Sequence, residues 1–291
     1  MATMSMSRRG LLAGAGGLLV LAACGESSSA SGDSGPDPGT TGFTVAGRFP
    51  NNTFVPGKLR LPISLASKGA LLTKGPAELT GRVLDSNDKQ VATIKAGIRS
   101  KDIVIPYWPV NVEIDAPGTY TLRIDGDDGY GTAFGVSSPA DVTVPRLGSV
   151  LPPFDTPTVD NHRGVEPYCT LTPKPCPLHD ITLTAALASG SPVGYMVGTP
   201  GHCQTGVCAP SLQFLIKSHA RVGTKIAMVH ADVYSDSAGT KVAPAVNALG
   251  LEYEPVLYLC SPDGTVRDRL DVMWDQSELD ERLDAFLAGL S

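Results

Sequence analysis

Residues 193–208 read Val193-Gly194-Tyr195-Met196-Val197-Gly198-Thr199-Pro200-Gly201-His202-Cys203-Gln204-Thr205-Gly206-Val207-Cys208. The opening run Val193–Gly198 is apolar and of strand length. A helix is expected from about Val207 to Ala220, so Cys203 and Cys208 fall at a strand-to-helix junction. There the unpaired backbone N–H groups and the positive end of the helix dipole favour thiolate over thiol. Thiolate is the nucleophile of disulfide exchange.

On either side the pattern alternates. A short helix at Leu183–Ala188 stops before Gly190, and a strand follows at Lys225–His230. A helix at Val242–Leu249 ends at Gly250. The strands Pro255–Cys260 and Thr265–Val272 flank the turn signal Ser261-Pro262-Asp263-Gly264. A last helix, Glu278–Leu287, follows Ser277 as expected N-cap. From the strand at 193 onward the order β-α-β-α-β-β-α implies a sheet with a parallel half and an antiparallel half.

The junction, this element order and Glu254-Pro255 just before the antiparallel strand pair together resemble the thioredoxin superfamily, over about 120 residues. Similar above all are exported actinobacterial lipoproteins with a thioredoxin-like C-terminal domain, matched by Thr199-Pro200, Cys203-Gln204-Thr205-Gly206-Val207-Cys208 and Glu254-Pro255. The resemblance implies a cis-proline at Pro255 beside the cysteines. The gap between the cysteines is wider than the usual two residues. Cα atoms at i and i+5 of a regular helix lie about 8.6 Å apart, whereas a disulfide needs roughly 4.4–6.8 Å. Either Cys203 stays in the loop, helped by Gly201 and Gly206, or the first helical turn unwinds on oxidation. Cys203 is the expected attacking thiol and Cys208 the resolving thiol; a permanent bridge stapling the loop is the alternative.

Two other chemistries compete. Peroxiredoxins of the bacterioferritin-comigratory type share the four-residue gap and a preceding Thr-Pro-Gly, but here His202 is inserted. Pro200 therefore stands where a peroxidase needs a hydroxyl, and proline has no donor. Sco-type copper proteins are also thioredoxin-like, and His202, Cys203 and Cys208 with His230 form a conceivable soft-metal set. His162, His179 and His219 show no ligand spacing, and His230 reads as a hydrogen-bonded strand-end residue. No cofactor is expected.

Cys169 and Cys176 flank a proline-rich segment and are expected to form a structural disulfide, worth about 2.5 kcal/mol on the chain-entropy account. An electron shuttle to Cys203/Cys208 is the functional alternative. Cys260 ends an apolar strand and reads as a buried free thiol.

Residues 43–145 hold no cysteine. Short alternating runs recur at Lys58–Leu65, Glu78–Asp85, Gln90–Lys95, Val110–Asp115, Thr119–Asp125 and Thr132–Val136, with turn signals at Asn87-Asp88 and Asp125-Gly126. This predicts a β-sandwich. Asp115-Ala116-Pro117-Gly118-Thr119-Tyr120-Thr121-Leu122 resembles the tyrosine-corner segment of immunoglobulin-like domains, with Tyr120 at the corner. The expected fold class is thus multi-domain: an immunoglobulin-like β-sandwich, a linker at 146–167, and an α/β thioredoxin-like domain at 168–291.

Upstream, Arg8 and Arg9 precede an apolar run, and Leu21-Ala22-Ala23-Cys24 resembles the lipobox of bacterial lipoproteins. Ser7-Arg8-Arg9-Gly10-Leu11-Leu12 is similar to a twin-arginine signal. The uncharged stretch Gly10–Ala23 is shorter than the roughly 20 residues of a membrane span. Residues 1–23 are thus expected to be a signal peptide, with lipid on Cys24 as membrane anchor and 24–42, rich in Gly, Ser and Asp, as a flexible tether. Export permits disulfides. The chain has 291 residues with 23 basic against 29 acidic, a net charge of −6, which disfavours nucleic acid as a partner. The expectation is a lipid-anchored extracytoplasmic thiol–disulfide oxidoreductase acting on protein thiols or disulfides. A non-enzymatic binding lipoprotein on a thioredoxin-like scaffold is the alternative.

Overall fold

The structure, a computed structural model, describes residues 42–290. The expected signal peptide, Cys24 and the tether up to residue 41 lie outside the described residues. Among those described, no helix is long and apolar enough to cross a membrane.

Among the described residues the first half has eight strands: β1 (Thr44–Gly47), β2 (Gly57–Ser67), β3 (Ala70–Leu71), β4 (Glu78–Leu84), β5 (Gln90–Gly97), β6 (Trp108–Ile114), β7 (Gly118–Ile124) and β8 (Thr132–Val136). One antiparallel sheet runs β1-β2-β3 with β6 on the other side of part of β2, and the second runs β5-β4-β7-β8. Strict alternation along β6, whose Trp108, Val110, Val112 and Ile114 turn inward, puts one face of each strand in the core. Leu61, Ile63 and Trp108 of one sheet meet Val83, Ile94, Leu122 and Phe134 of the other in one apolar cluster, so the sheets form a sandwich. The Tyr120 hydroxyl donates to the Ala116 carbonyl at 2.8 Å, closing the corner expected there.

The second half continues with α1 (Leu183–Ala188), β9 (Val193–Val197), α2 (Cys208–Val222), β10 (Ala227–Ala231), α3 (Pro244–Leu249), β11 (Val256–Cys260), β12 (Val266–Asp271) and α4 (Gln276–Ala288). The sheet order is β10-β9-β11-β12, with β9 parallel to β10 and antiparallel to β11. Every residue of β9 and β11 is buried, as central strands covered on both faces require. Tyr195, Val197 and Tyr258 pack with residues of α1 and α3, while Met196, Leu257 and Leu259 pack with residues of α2 and α4. The period-two alternation of the strands thus feeds two cores.

Three sequence expectations shift. The N-cap of α4 is Asp275, not Ser277: Asp275 Oδ1 accepts the Glu278 N–H at 2.8 Å, and the Ser277 hydroxyl donates to the same oxygen. α3 begins at Pro244 rather than Val242, because proline favours the first helical position. The stretch 146–167, expected as a linker, has Leu151, Thr156 and Val165 buried, and Leu151 N–H donates to Gly264 O in the β11–β12 turn.

The halves are joined by a buried ion pair. Arg60, in β2, donates two hydrogen bonds of 2.7 Å to the Glu278 carboxylate in α4 and two more to the Asp271 and Met273 carbonyls. Tyr107 hydroxyl donates to the same carboxylate and accepts the Asp275 N–H. Burial alone would raise the Glu278 carboxyl, but Arg60 outweighs it and holds it at about 2.

Candidate functional site

Cys203 lies in the loop after β9, and Cys208 is the first residue of α2. They form a disulfide with Cα atoms 6.0 Å apart. Of the two routes open to this spacing, the chain takes the first: Cys203 stays outside the helix, and Gly206 turns the chain with φ of +69°. Cys203 is partly exposed, whereas Cys208 is wholly buried. The Cys208 N–H, an unpaired donor of the first turn, points at Cys203 Sγ from 3.3 Å, and Thr205 Oγ1 lies at the same distance. The amide and the hydroxyl are both groups able to donate to Cys203 Sγ.

The Glu254–Pro255 peptide is cis, and Pro255 packs against Gly198, where an added Cβ would stand 3.0 Å from Pro255 Cβ. This brings Glu254 to the pair: a carboxylate oxygen and both sulfurs lie within 4.8 Å of one another. Glu254 accepts the Thr199 N–H at 2.5 Å, and burial pushes its carboxyl up from the ordinary range. A groove of about 450 Å³ opens beside Cys203, walled by Tyr234, Tyr253 and Glu254 and, from the sandwich half, by Phe49, Pro50 and Asn51.

Cys169 and Cys176 are free thiols, which corrects the expected structural disulfide between them. Their sulfurs are engaged by imidazoles instead: Cys176 Sγ lies 3.5 Å and Cys169 Sγ 3.9 Å from His230 Nδ1. His179 Nε2 lies 3.2 Å from the same nitrogen. The hydrogen bond from Cys176 pushes the Cys169 thiol down, aided by His179 and His230, and the same bond with burial pushes Cys176 up. Cys260 is a buried free thiol; burial raises it to about 12.

The copper set considered from sequence is not assembled. Among the described residues, neither His202 nor His230 shares a group of close ligand atoms with Cys203 and Cys208. His202 stands edge-on to Tyr234, with ring centroids 5.8 Å apart, and His230 faces Cys169 and Cys176.

No family model matches the chain, and no curated protein matches it. Among solved structures it is similar to a domain from Bacteroides thetaiotaomicron named as the C-terminal domain of a thiol-disulfide oxidoreductase. That likeness has 11% identity and a TM-score of 0.35, and covers 50% of this chain and 97% of that one. What decides the fold is the sheet order β10-β9-β11-β12, with the cysteine pair after β9 and a cis-proline opening β11. The C-terminal half is thioredoxin-like. Two residues of this thioredoxin-like half escape a reading by spacing. Glu254 carries its signal only as the neighbour of Pro255, and His179 is joined to His230 by the pairing of a loop with a strand end.

Proposed function

We propose that the protein is a membrane-tethered extracytoplasmic thiol–disulfide oxidoreductase. It would be held by lipid on Cys24, with an immunoglobulin-like domain at 43–145 between the tether and the redox domain. The observation that carries the reading is the asymmetry of the Cys203–Cys208 disulfide: one sulfur borders a groove and receives the Cys208 N–H, and the other is shut inside.

In the reduced protein the Cys203 thiolate attacks one sulfur of a partner disulfide. A Cys203–partner bond forms, the partner's own S–S bond breaks, and its other sulfur leaves as thiolate. Cys208 then gives its proton to the Glu254 carboxylate, and its sulfur attacks Cys203 Sγ. The Cys203–Cys208 bond forms and the partner's second thiolate leaves. Two electrons have passed to the partner, and the same steps in reverse oxidise a partner dithiol. Pro255 shapes the surface that meets the partner's sulfur. The partners are protein thiols or disulfides.

A redox titration of the chain lacking residues 1–24, followed by differential alkylation and mass spectrometry, tests this. A Cys203–Cys208 potential between about −120 and −270 mV, the span of exchange catalysts, is the expected result. A pair that resists reduction below about −300 mV is a structural staple, and the binding-scaffold reading then replaces this one.

A further inference from the structure

We infer that Cys169, Cys176, His179 and His230 form a closed tetrahedral zinc site, separate from the redox pair. All four side chains are buried, none exposed by more than 4%. One ligand atom from each lies within 4.8 Å of every other. Zn–N bonds of about 2.0–2.1 Å and Zn–S bonds of about 2.3 Å give a tetrahedron with edges near 3.3 Å (N–N), 3.6 Å (N–S) and 3.8 Å (S–S). The edges here are 3.2 Å for His179 Nε2 to His230 Nδ1, and 3.5 and 3.9 Å for His230 Nδ1 to Cys176 and Cys169 Sγ.

The second nitrogens fix the tautomers. His230 Nε2 lies 2.8 Å from the Gly198 carbonyl and His179 Nδ1 lies 3.3 Å from the Pro157 carbonyl. Carbonyls only accept, so both of these nitrogens carry hydrogens. The lone pairs of His230 Nδ1 and His179 Nε2 are then left facing one another across 3.2 Å in a buried core. Both lone pairs and the two sulfurs converge on one point, and a cation there serves all four at once. Imidazoles braced by backbone carbonyls are the usual outer support of a metal site. The Cys176 N–H donates to Cys169 Sγ at 3.3 Å, as suits a thiolate.

Two sulfurs and two imidazoles select a tetrahedral borderline cation, and four protein ligands leave no open position, so the role is structural. The site lies against the back of the redox loop. His230 holds Gly198, and Thr170, next to Cys169, accepts the Gly201 N–H at 3.0 Å and donates its own N–H to Asp232. Metal binding at these four residues requires no redox activity at Cys203.

The full chain, reduced under anaerobic conditions, is titrated with Zn²⁺ alone and with Co²⁺ alone, and bound metal is counted by mass spectrometry. One equivalent of zinc is expected. Co²⁺ should give the visible bands of a tetrahedral site and a thiolate charge-transfer band. Cys169 and Cys176 should resist alkylation until a chelator is added, a readout that needs no variant. The Cys203→Ser/Cys208→Ser double variant should keep the equivalent, and His179→Gln should bind about 100-fold more weakly, the upper end of what loss of even a contact that supports a ligand costs. Zinc lost from the double variant and retained by His179→Gln overturns the assignment, as does a reduced protein that takes up no zinc. A Cys169–Cys176 disulfide in the zinc-loaded chain overturns it equally.

Discussion

The two cysteine pairs are near in space and opposite in design. Cys203 and Cys208 are five residues apart across the start of α2, one sulfur at a groove and the other enclosed, with a carboxylate close to both. Cys169 and Cys176 are seven apart in a loop, both buried, and faced by imidazoles. Electron exchange needs a thiolate that a partner can reach, together with a second sulfur able to displace the partner. Metal binding needs several donors converging where water cannot compete. The same element, sulfur, meets each requirement through its surroundings.

The two pairs should not be interchangeable. In Cys203→Ser, exchange should fall to the uncatalysed background, while Cys208→Ser should accumulate mixed disulfides on Cys203, visible on non-reducing gels and by intact mass. Equal residual turnover in both single variants would remove the attacking and resolving roles.

Next in size is the joint between the halves. The Glu278 carboxyl is held at about 2 in the folded chain, below its ordinary value of 4.5. A depressed carboxyl contributes stability above its unfolded pKa and loses that contribution as pH falls through the folded one. The chain should therefore lose about 3 kcal/mol between pH 4.5 and pH 2, measured by urea unfolding. Glu278→Gln should remove that part of the slope. Because Phe49, Pro50 and Asn51 border the Cys203 groove, Arg60→Ala should also lower turnover on protein substrates while leaving zinc content unchanged.

Glu254→Gln should slow resolution of the mixed disulfide by about a hundredfold near neutral pH, as loss of a general base does. Burial raises this carboxyl, so in the native protein the resolution rate should climb as pH rises through the raised value. Stopped-flow across acid pH should show that climb flattened in the variant. The smallest effect is expected of Thr170→Val, which deletes the acceptor of the Gly201 N–H. One lost hydrogen bond is worth about 1 kcal/mol, so the Cys203–Cys208 potential should move by about 20 mV. An unmoved potential would mean that the buried cluster and the redox loop are uncoupled.

Elements that carry their own periodicity are legible in the sequence. β4, β7, β8, β9 and β11 fall where alternation or apolar runs place them, and Gly198 to Cys208 announces its junction. β1 and β3 were not legible, because four-residue and two-residue strands on the flank of β2 hold too few positions to show a period. The sequence alone does not separate Asp275 from Ser277 as the α4 cap, since both are good cap residues and only the Glu278 N–H distance decides between them. His179 could not be assigned from spacing. Its partner, His230, is 51 residues away, and the loop reaches it by a backbone bond from His230 N–H to Leu178 O.

The bond between Arg60 and Glu278 spans 218 residues of chain. Its consequence lies in the order of assembly. During synthesis the sandwich strands emerge first, and Arg60 then has no counterion until α4, the last helix, is made. With the sandwich formed and α4 missing, the Arg60 guanidinium lacks the Glu278 carboxylate and turns to water instead. α4 thus supplies the carboxylate that seats Arg60, and a variant stopped before Gln276 would lack this joint between the halves.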